Sequence, residues 1–438
     1  MDILIKGVVI PVTGPTDVVR DGALAVRDGE IVYVGPADGV PAGFEAAKVI
    51  GGPEMAVLPG FVNAHTHAAM TLFRGYADDL PLMKWLAEAI WPLEDKLEAG
   101  DVYWGTMLAC AEMLLGGTTT FADMYFFMDD VARAVEQSGI RASLSRGLIG
   151  LNPNAAEALA ENRELVLKWH GKAGGRITCM LGPHAPYTCP PDYLEKVIKA
   201  AGELGVGVHI HVSETLHEVE EIGKQYGCSP VALLAKVGLL DLPVLAAHCV
   251  HLLPEDIVVF AEKGTAVAHN PESNMKLASG VAPVTRLLNA GVTVGLGTDG
   301  AASNNNLDML EEMRSAALLQ KVATGDPEAL PAYKTLEMAT MGGARALGLQ
   351  DKVGTLEPGK RADVVLLDLR RPHFYPPHDV LAHIVYAAQA GDVHTVLVDG
   401  KMVVEAGRVL TFDLDDAMGN TRRCALRLVG SPKERSLL

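Results

Sequence analysis

Short strand-like runs alternate with longer helical patterns through the central part of the chain. Eight runs follow one another between residues 60 and 300: GFVNAHTH, TTTFADM, RASLSRGL, ITCMLGPHAPY, GVHIHVSET, VLAAHCVHL, TAVAHNPESN and VTVGLGTDG. Helical patterns such as DVYWGTMLACAEMLLGG, DYLEKVIKAAGELG and VTRLLNAG fill the intervals and stop at glycine, a residue favoured at helix C-termini. Eight strand and helix units predict a closed parallel (β/α)8 barrel, whose functional residues lie at the C-terminal ends of the strands.

The two ends of the chain show a different sequence pattern, with short β-rich runs broken by glycine. ILIKGVVI and GALAVRDGEIVYVG lie near the N-terminus, and GTLEPGKRADVVLLDL and VHTVLVDGKMVVEAGRVL lie near the C-terminus. The chain has 438 residues, which is long for a single core. We therefore predict an α/β protein with a TIM-like barrel at residues 58–356 and a small β-sandwich domain formed by residues 1–57 and 357–438.

Two histidines lie one residue apart in the first run, FVNAHTH. In an extended strand the side chains of residues i and i+2 leave the same face, so His65 and His67 are expected to point at one spot. Two imidazoles aimed together indicate a metal site. Taken alone, the pair fits ordinary packing residues about as well, with each ring bonded to a backbone carbonyl.

Other polar residues fall at the ends of the later runs. They are His184 in the fourth, His211 and Glu214 in the fifth, His248 in the sixth, His269 in the seventh and Asp299 in the eighth. In a barrel all of these would face one mouth. Packing alone does not place so many polar residues at strand ends, so the pattern favours a functional site.

Composition narrows the class of ligand and the compartment. The charge balance of 37 basic and 54 acidic residues gives a net charge of −17, which disfavours a polyanionic partner such as nucleic acid and favours a small molecule. Six cysteines are scattered without a CxxC pair, as expected of free thiols in a reducing compartment. The N-terminus lacks signal-peptide features and no uncharged apolar run has membrane-spanning length, so we expect a cytoplasmic protein without a membrane partner.

Five blocks of the sequence carry a resemblance to a known family: LPGFVNAHTHAAMTLFRGYADDLPLMKWL, VHIHVSET, AAHCVHL, AHNPESNMKLASG and GLGTDGAASNNNLDM. Through them the chain resembles the amidohydrolase superfamily and, more narrowly, the 5′-methylthioadenosine/S-adenosylhomocysteine deaminases. The similarity extends across essentially the whole chain, including both sheet-forming ends.

The resemblance implies a metal-dependent hydrolase with the ligand set His65, His67, His211 and Asp299. His209 shares a face with His211, but the family pattern of a ligand histidine followed three positions later by glutamate fits only His211 with Glu214. Three nitrogens and one oxygen suit zinc, with iron as the alternative. A second metal would need a lysine near the end of the fourth run, which contains none, so one divalent ion per subunit is expected.

The resemblance also implies catalytic roles. Glu214 is expected to carry a proton from the attacking water to a ring nitrogen of the substrate. Asp299 is expected to contact the metal and pass a second proton to the departing amine, and His248 to help hold the attacking water. His269 is expected to support the site without binding the metal. Considered alone, Glu214 also fits a solvated glutamate that begins the acidic helix in ETLHEVEE.

Substrate contacts follow from the same resemblance, with Glu214 and Asp299 among them. Glu94 in WPLEDKL matches a glutamate that binds the ribose hydroxyls, Arg146 in LSRGL matches an arginine that reaches the 5′ substituent, and His184 matches a purine-contacting histidine. Alone, Glu94 fits an exposed helix residue, and Arg146 fits a surface ion pair.

The implied reaction is hydrolytic deamination of 5′-methylthioadenosine and S-adenosylhomocysteine at purine C6, giving the inosyl product and ammonia. The sequence does not indicate a preference among these two nucleosides and adenosine. The alternative is a deaminase or chlorohydrolase acting on guanine, cytosine or an aminotriazine. Intact candidate ligands argue against a barrel without activity. Barrels of this type commonly associate, so a homo-oligomer is expected.

Overall fold

The computed structural model describes residues 2–430, so residues 1 and 431–438 of the predicted small domain lie outside the described part. Its strands are β1 (Ile3–Val9), β2 (Val19–Arg27), β3 (Glu30–Pro36), β4 (Lys48–Pro59), β5 (Phe61–Thr66), β6 (Thr118–Tyr125), β7 (Arg141–Leu148), β8 (Ile177–Cys179), β9 (Gly182–Pro183), β10 (Val208–Val212), β11 (Val244–His248), β12 (Ala266–His269), β13 (Val294–Leu296), β14 (Val364–Asp368), β15 (Val393–Val398), β16 (Lys401–Glu405) and β17 (Arg408–Val409).

The α-helices are α1 (Leu82–Lys84), α2 (Trp91–Glu94), α3 (Ala99–Leu115), α4 (Met128–Ser138), α5 (Ala155–Trp169), α6 (Lys172–Gly175), α7 (Pro191–Leu204), α8 (Leu216–Tyr226), α9 (Pro230–Lys236), α10 (Pro254–Lys263), α11 (Pro271–Lys276), α12 (Val284–Asn289), α13 (Ala301–Asn304), α14 (Met309–Thr324), α15 (Ala332–Glu337), α16 (Gly343–Ala346), α17 (Val380–Tyr386) and α18 (Leu414–Val429). Short 3₁₀ segments occur at Ala37–Gly39, Ala68–Phe73, Leu239–Asp241, Pro372–Phe374 and Ala390–Asp392, and π-helical segments at Trp85–Ile90 and Met338–Gly342.

Eight parallel strand positions form the barrel, in the order β5, β6, β7, β8 with its continuation β9, β10, β11, β12 and β13. A parallel bridge between Leu181 and Val208 joins the fourth position to the fifth. The ring closes where the backbone N–H of Asp299 donates to the carbonyl of His65, at 2.9 Å. Helices cover the outside between successive strands, which confirms the predicted (β/α)8 architecture.

A glycine permits the close approach at this closure. A Cβ at Gly297 would lie 2.7 Å from the backbone nitrogen of His65 and 2.5 Å from Oδ1 of Asn270, distances that no side chain tolerates. Only glycine leaves the end of β13 free to pack directly on β5. The closure places Asp299 beside His65 and His67.

Strands from both ends of the chain build one eight-stranded sheet, in the order β17-β16-β15-β14-β4-β1-β2-β3. The edge near β3 folds back to the segment before β14, where Ile31 N–H donates to the carbonyl of Lys360 at 2.8 Å. A separate apolar cluster fills this unit, with members Ile3, Ile5, Leu24, Val57, Val364 and Leu366 among others. The predicted small β-sandwich is therefore confirmed, while the division at residues 57 and 357 stays a prediction.

Two features tie the barrel to the rest of the chain. Arg141, which begins β7, is buried and donates to both carboxylate oxygens of Asp363 at 3.0 and 2.9 Å. The last helix, α18, lies on barrel helix α3, where the hydroxyl of Thr421 donates to the carbonyl of Trp104 at 2.8 Å. These contacts fix the small sheet and the C-terminal helix against the barrel wall.

Two expectations from composition concern the chain as a whole. Each of the six cysteines has a free thiol. Among residues 2–430, no helix combines the length and the apolar character required to cross a lipid bilayer.

Candidate active site and metal centre

A cavity opens at the C-terminal ends of the barrel strands. Most of the predicted site residues line it: His67, Glu94, His184, His211, Glu214, His248 and Asp299. His65 lies at the floor and is fully buried. Two predicted residues lie elsewhere, since Arg146 lines an adjoining groove and His269 is buried without lining the cavity.

Four side chains converge on a point at the floor. The candidate ligand atoms of His65, His67 and His211 lie within 4.8 Å of one another. Oδ1 of Asp299 is 3.4 Å from Nε2 of His65 and 3.3 Å from Nε2 of His67. Nε2 of His65 is buried and has no hydrogen-bond partner among residues 2–430, a costly state for a polar atom unless a cation accepts its lone pair. The donor set therefore fits a divalent metal ion.

Contacts at the other ring nitrogen fix which tautomer two of these histidines adopt. Nδ1 of His67 lies 2.6 Å from the carbonyl of Met124, and Nδ1 of His211 lies 2.7 Å from the carbonyl of His184. A carbonyl oxygen only accepts, so Nδ1 carries the proton and Nε2 presents a lone pair. In the neutral form of each ring, these contacts direct Nε2 toward the converging point.

Burial lowers the pKa of three imidazoles at the mouth. It lowers the pKa of His65 to about 4 and that of His184 to about 4, and it lowers the pKa of His211 well below its ordinary value. A metal ligand must be deprotonated to bind, so these shifts remove proton competition at neutral pH. Burial alone would raise the pKa of Asp299, but contact with His65 and His67 outweighs it and the net pKa falls well below the usual range.

The carboxylate of Glu214 lies beside the converging ligands without belonging to them. Its Oε2 is 3.9 Å from Nε2 of His248, and burial raises the pKa of Glu214. The backbone N–H groups of Ser213 and Glu214 both donate to the buried carboxylate of Glu218, at 2.8 and 3.0 Å. This contact holds the turn after β10 and aims Glu214 into the cavity.

Contacts on two sides of His248 orient its ring and raise its pKa. Its Nδ1 lies 2.9 Å from Oδ1 of Asn274. Burial alone would lower the pKa of His248, but the carboxylates of Glu214 and Asp299 raise it above its ordinary value. The surroundings of this ring therefore favour its charged form.

Asp299 is oriented by residues that the sequence patterns did not single out. Its Oδ2 accepts hydrogen bonds from the hydroxyls of Ser273 and Ser303, at 2.6 and 2.8 Å, and its Oδ1 accepts from the backbone N–H of Gly300 at 2.8 Å. Ser273 and Asn274 belong to the NPESN stretch after His269, and that dense group of polar residues was the available signal. Ser303 carried no signal.

Asp123 on β6 also escaped sequence reasoning. It is fully buried, accepts from the backbone N–H of Ala68 at 2.8 Å, and thereby steadies the turn that follows His67. Burial raises its pKa to about 6.

The wall of the cavity opposite the ligands is apolar, with a carboxylate at its rim. Trp85, Leu86 and Ile90 belong to the π-helical segment, an element often associated with functional sites. Glu94 follows it and accepts a hydrogen bond from the hydroxyl of Tyr125 at 2.8 Å. Burial raises the pKa of Glu94 to about 7.

Arg146 lies in a groove that continues from the cavity. The two spaces share Trp91, Glu94, Phe126 and Ile149. The guanidinium lies 5.0 Å from the ring centre of Phe126, and its Nε is 2.9 Å from a carboxylate oxygen of Glu161. The structure thus contains the surface ion pair that is the simpler explanation of Arg146, but at a position open to a ligand extending out of the cavity.

His209 and His269 are buried close to the site. His209 hydrogen-bonds to His65, with Nε2 2.8 Å from Nδ1, and its nitrogens do not belong to the groups that could hold a metal. Within the described part of the chain, His269 has no hydrogen-bond partner at either nitrogen, and burial lowers its pKa to about 3.

The sequence model of the amidohydrolase family matches residues 56–403. The chain belongs to the amidohydrolase family and is a metal-dependent hydrolase.

More particularly, the chain is 59% identical over 429 residues to the 5-methylthioadenosine/S-adenosylhomocysteine deaminase of Pelotomaculum thermopropionicum, covering 98% of this chain and 99% of that protein. The solved structure of an adenosine deaminase from Xanthomonas campestris with bound zinc is 41% identical, with a TM-score of 0.94 and coverage of 98% of both chains. An atrazine chlorohydrolase from Arthrobacter aurescens complexed with zinc is 28% identical, with a TM-score of 0.89 and coverage of 97% of this chain and 100% of that one. The resemblance stated from the sequence is confirmed.

Proposed function

We propose that this protein hydrolytically deaminates 5′-methylthioadenosine and S-adenosylhomocysteine at purine C6, releasing ammonia. One observation carries the proposal: four candidate ligands and the separate buried carboxylate of Glu214 meet at one cavity. The deaminase name of the relative from Pelotomaculum thermopropionicum supports this choice of substrate.

His65, His67, His211 and Asp299 would hold one ion, and zinc suits three imidazole nitrogens with one carboxylate oxygen. Iron is the alternative metal. When bound, the ion supplies a Lewis acid that lowers the pKa of a water molecule from about 15.7 to about 7. The zinc present in the structures of the adenosine deaminase and the chlorohydrolase supports zinc here.

Glu214 and Asp299 each transfer one of the two protons of the attacking water. Glu214 accepts one proton of the attacking water and delivers it to the ring nitrogen next to C6, and its raised pKa suits a group that both takes and returns a proton. Asp299 takes the second proton and passes it to the amine. The water oxygen bonds to C6, the C6–N bond breaks, and the products are a keto-purine and ammonia.

His248 holds the attacking water and polarises the reacting carbon. Its ring is fixed by Asn274 and faces Glu214, so it donates a hydrogen bond toward the charge that develops as C6 becomes tetrahedral. His184, at the cavity wall, contacts the purine ring.

The rim of the cavity and the adjoining groove bind the ribose and the 5′ substituent of the nucleoside. Glu94 accepts hydrogen bonds from the two ribose hydroxyls, and the apolar wall at Trp85 to Ile90 covers the base and sugar. The 5′ substituent leaves through the groove, where Arg146 meets the carboxylate of a homocysteinyl tail. A deaminase or chlorohydrolase of guanine, cytosine or a triazine would need neither Glu94 nor the groove. The cytoplasmic location and the homo-oligomeric state stay predictions.

The test is to measure metal content and substrate range on one preparation. We expect about one zinc per chain, and absorbance and ammonia assays should detect turnover of 5′-methylthioadenosine, S-adenosylhomocysteine or adenosine. Guanine, cytosine and atrazine serve as comparison substrates. Ammonia or chloride released from these, with none from the adenosines, would overturn the proposed substrate class.

A further inference from the structure

Of the three candidate ligand histidines, His65 is held differently from the others. His67 and His211 direct Nδ1 at backbone carbonyls, which substitution cannot remove. Nδ1 of His65 instead lies 2.8 Å from Nε2 of another side chain, His209. The two rings are nearly perpendicular, at 84°, with centroids 4.9 Å apart.

The direction of this hydrogen bond follows from the ligand role of His65. If Nε2 of His65 offers its lone pair to a cation, Nδ1 carries the proton and donates, so Nε2 of His209 must accept. A neutral His209 then carries its own proton on Nδ1. That nitrogen faces Oγ of Ser145 at 3.5 Å, and Ser145 in turn donates to the carbonyl of Asp123 at 2.8 Å.

The chain of donors is closed to solvent. His65 is 0% exposed, and His209 and Ser145 are each 1% exposed. Water therefore has no access to replace His209 as the acceptor. Without that acceptor the buried Nδ1–H of His65 would be unsatisfied, and the competing tautomer, with its proton on Nε2, would block the ligand position.

We propose that His209 is a positioning residue that holds His65 in its metal-binding tautomer and orientation, and that this contact sets the metal affinity of the site. The inference rests on the metal centre of the proposed function. It assigns to His209 a role distinct from packing in the barrel interior.

The test compares His209→Gln with His209→Leu. The amide oxygen of glutamine reaches the place of Nε2 and accepts from His65, whereas leucine fills similar space without an acceptor. The dissociation constant for Zn²⁺ is measured by chelator competition, and the visible spectrum of the Co²⁺-substituted protein reports the ligand set. His251→Leu is the control, since His251 bonds to the carbonyl of Ser279, apart from the candidate ligands.

Loss of such a partner typically weakens metal binding about 10- to 100-fold. We expect that loss, with an altered Co²⁺ spectrum, in His209→Leu and recovery to within about 3-fold in His209→Gln. Thermal unfolding of the metal-free proteins separates positioning from packing, because a packing role lowers the midpoint in both variants without restoring affinity in His209→Gln. Equal affinity in the leucine variant and the wild type, or no recovery by glutamine, would overturn the proposal. A wild-type protein that binds no divalent metal would instead overturn the proposed function.

Discussion

Glu214→Gln separates proton transfer from metal binding. The substitution replaces one carboxylate oxygen by an NH₂ group of the same size, in a side chain that is 8% exposed. Glu214 does not belong to the groups that could hold the ion. Because an amide cannot accept and return a proton, we expect turnover to fall while the metal stays.

The size of the loss follows from the role. General acid–base catalysis by one placed side chain contributes about 10²- to 10⁴-fold, equivalent to roughly 2.7–5.5 kcal/mol of transition-state stabilisation. His248 lies 3.9 Å from Glu214, and the carboxylates of Glu214 and Asp299 raise its pKa, so it is poorly suited to replace Glu214 as the base. We therefore expect kcat to decrease by at least about 10²-fold.

The thermal stability of the metal-free protein should not fall with the turnover of the variant. The pKa of Glu214 is raised by burial, so the folded protein binds this proton more tightly than the unfolded chain does. Its contribution to stability consequently falls as the pH rises through that pKa. Glutamine carries no such charge, so the metal-free variant should unfold at the same temperature as the wild type or a higher one at neutral pH.

The assay records the absorbance change of the adenine ring with saturating substrate, together with zinc content. Glu220→Gln, an exposed change on helix α8, which follows Glu214, is the control and should retain wild-type turnover. Turnover of Glu214→Gln within about 3-fold of wild type at full zinc content would refute the proton-transfer role. Loss of zinc from the variant would refute the separation of Glu214 from the ligands.

Four further predictions follow from the geometry. Glu94→Gln should abolish the preference for ribose over 2′-deoxyribose nucleosides. In the wild type, KM should fall as the pH rises through about 7, because Glu94 ionises there and accepts hydrogen bonds from the diol. This pH dependence of KM should disappear in the variant. Arg146→Met should lower kcat/KM for S-adenosylhomocysteine by about 10- to 100-fold, with 5′-methylthioadenosine as the nearly unaffected comparison. Arg141→Met should cost about 3–5 kcal/mol in denaturant unfolding because it leaves Asp363 buried without its partner, whereas exposed Arg133→Met should cost less than about 1 kcal/mol. A chelator should abolish activity, and added zinc should restore it.

The barrel was predictable because its strands are short strand-like runs separated by helical patterns that stop at glycine. The ends of the strands were less predictable. ITCMLGPHAPY is strand only at Ile177–Cys179 and Gly182–Pro183, and in TAVAHNPESN the strand ends at His269, where Pro271 begins helix α11. Proline is well suited to the first turn of a helix, so the second boundary had a signal in the sequence.

The site likewise contains residues that the sequence predicted and residues that it did not. Alternation along a strand and the position of strand ends predicted that the polar residues would face one mouth, and the family resemblance implied that His65, His67, His211 and Asp299 are the ligands among them. The groups that orient them could not be predicted, because the hydrogen bonds of Ser303 and Asp123 depend on how their side chains meet groups distant in sequence or in the following helix, which no periodic pattern indicates. Nor does sequence spacing reveal that Glu161 pairs with Arg146, since that contact depends on how helix α5 lies over the strand end.

Backbone conformation at the mouth indicates why such positions resist sequence rules. His248 and Asp299 adopt left-handed backbone angles, with φ of 70° and 60°. Such conformations cost non-glycine residues of order 1 kcal/mol or more, and propensity alone would assign glycine to each. Glycine would relieve the strain but would remove the imidazole that faces Glu214 and the carboxylate that faces His65 and His67. The chain therefore retains strained residues where the proposed chemistry requires a side chain, and uses glycine at position 297, where only close packing is required.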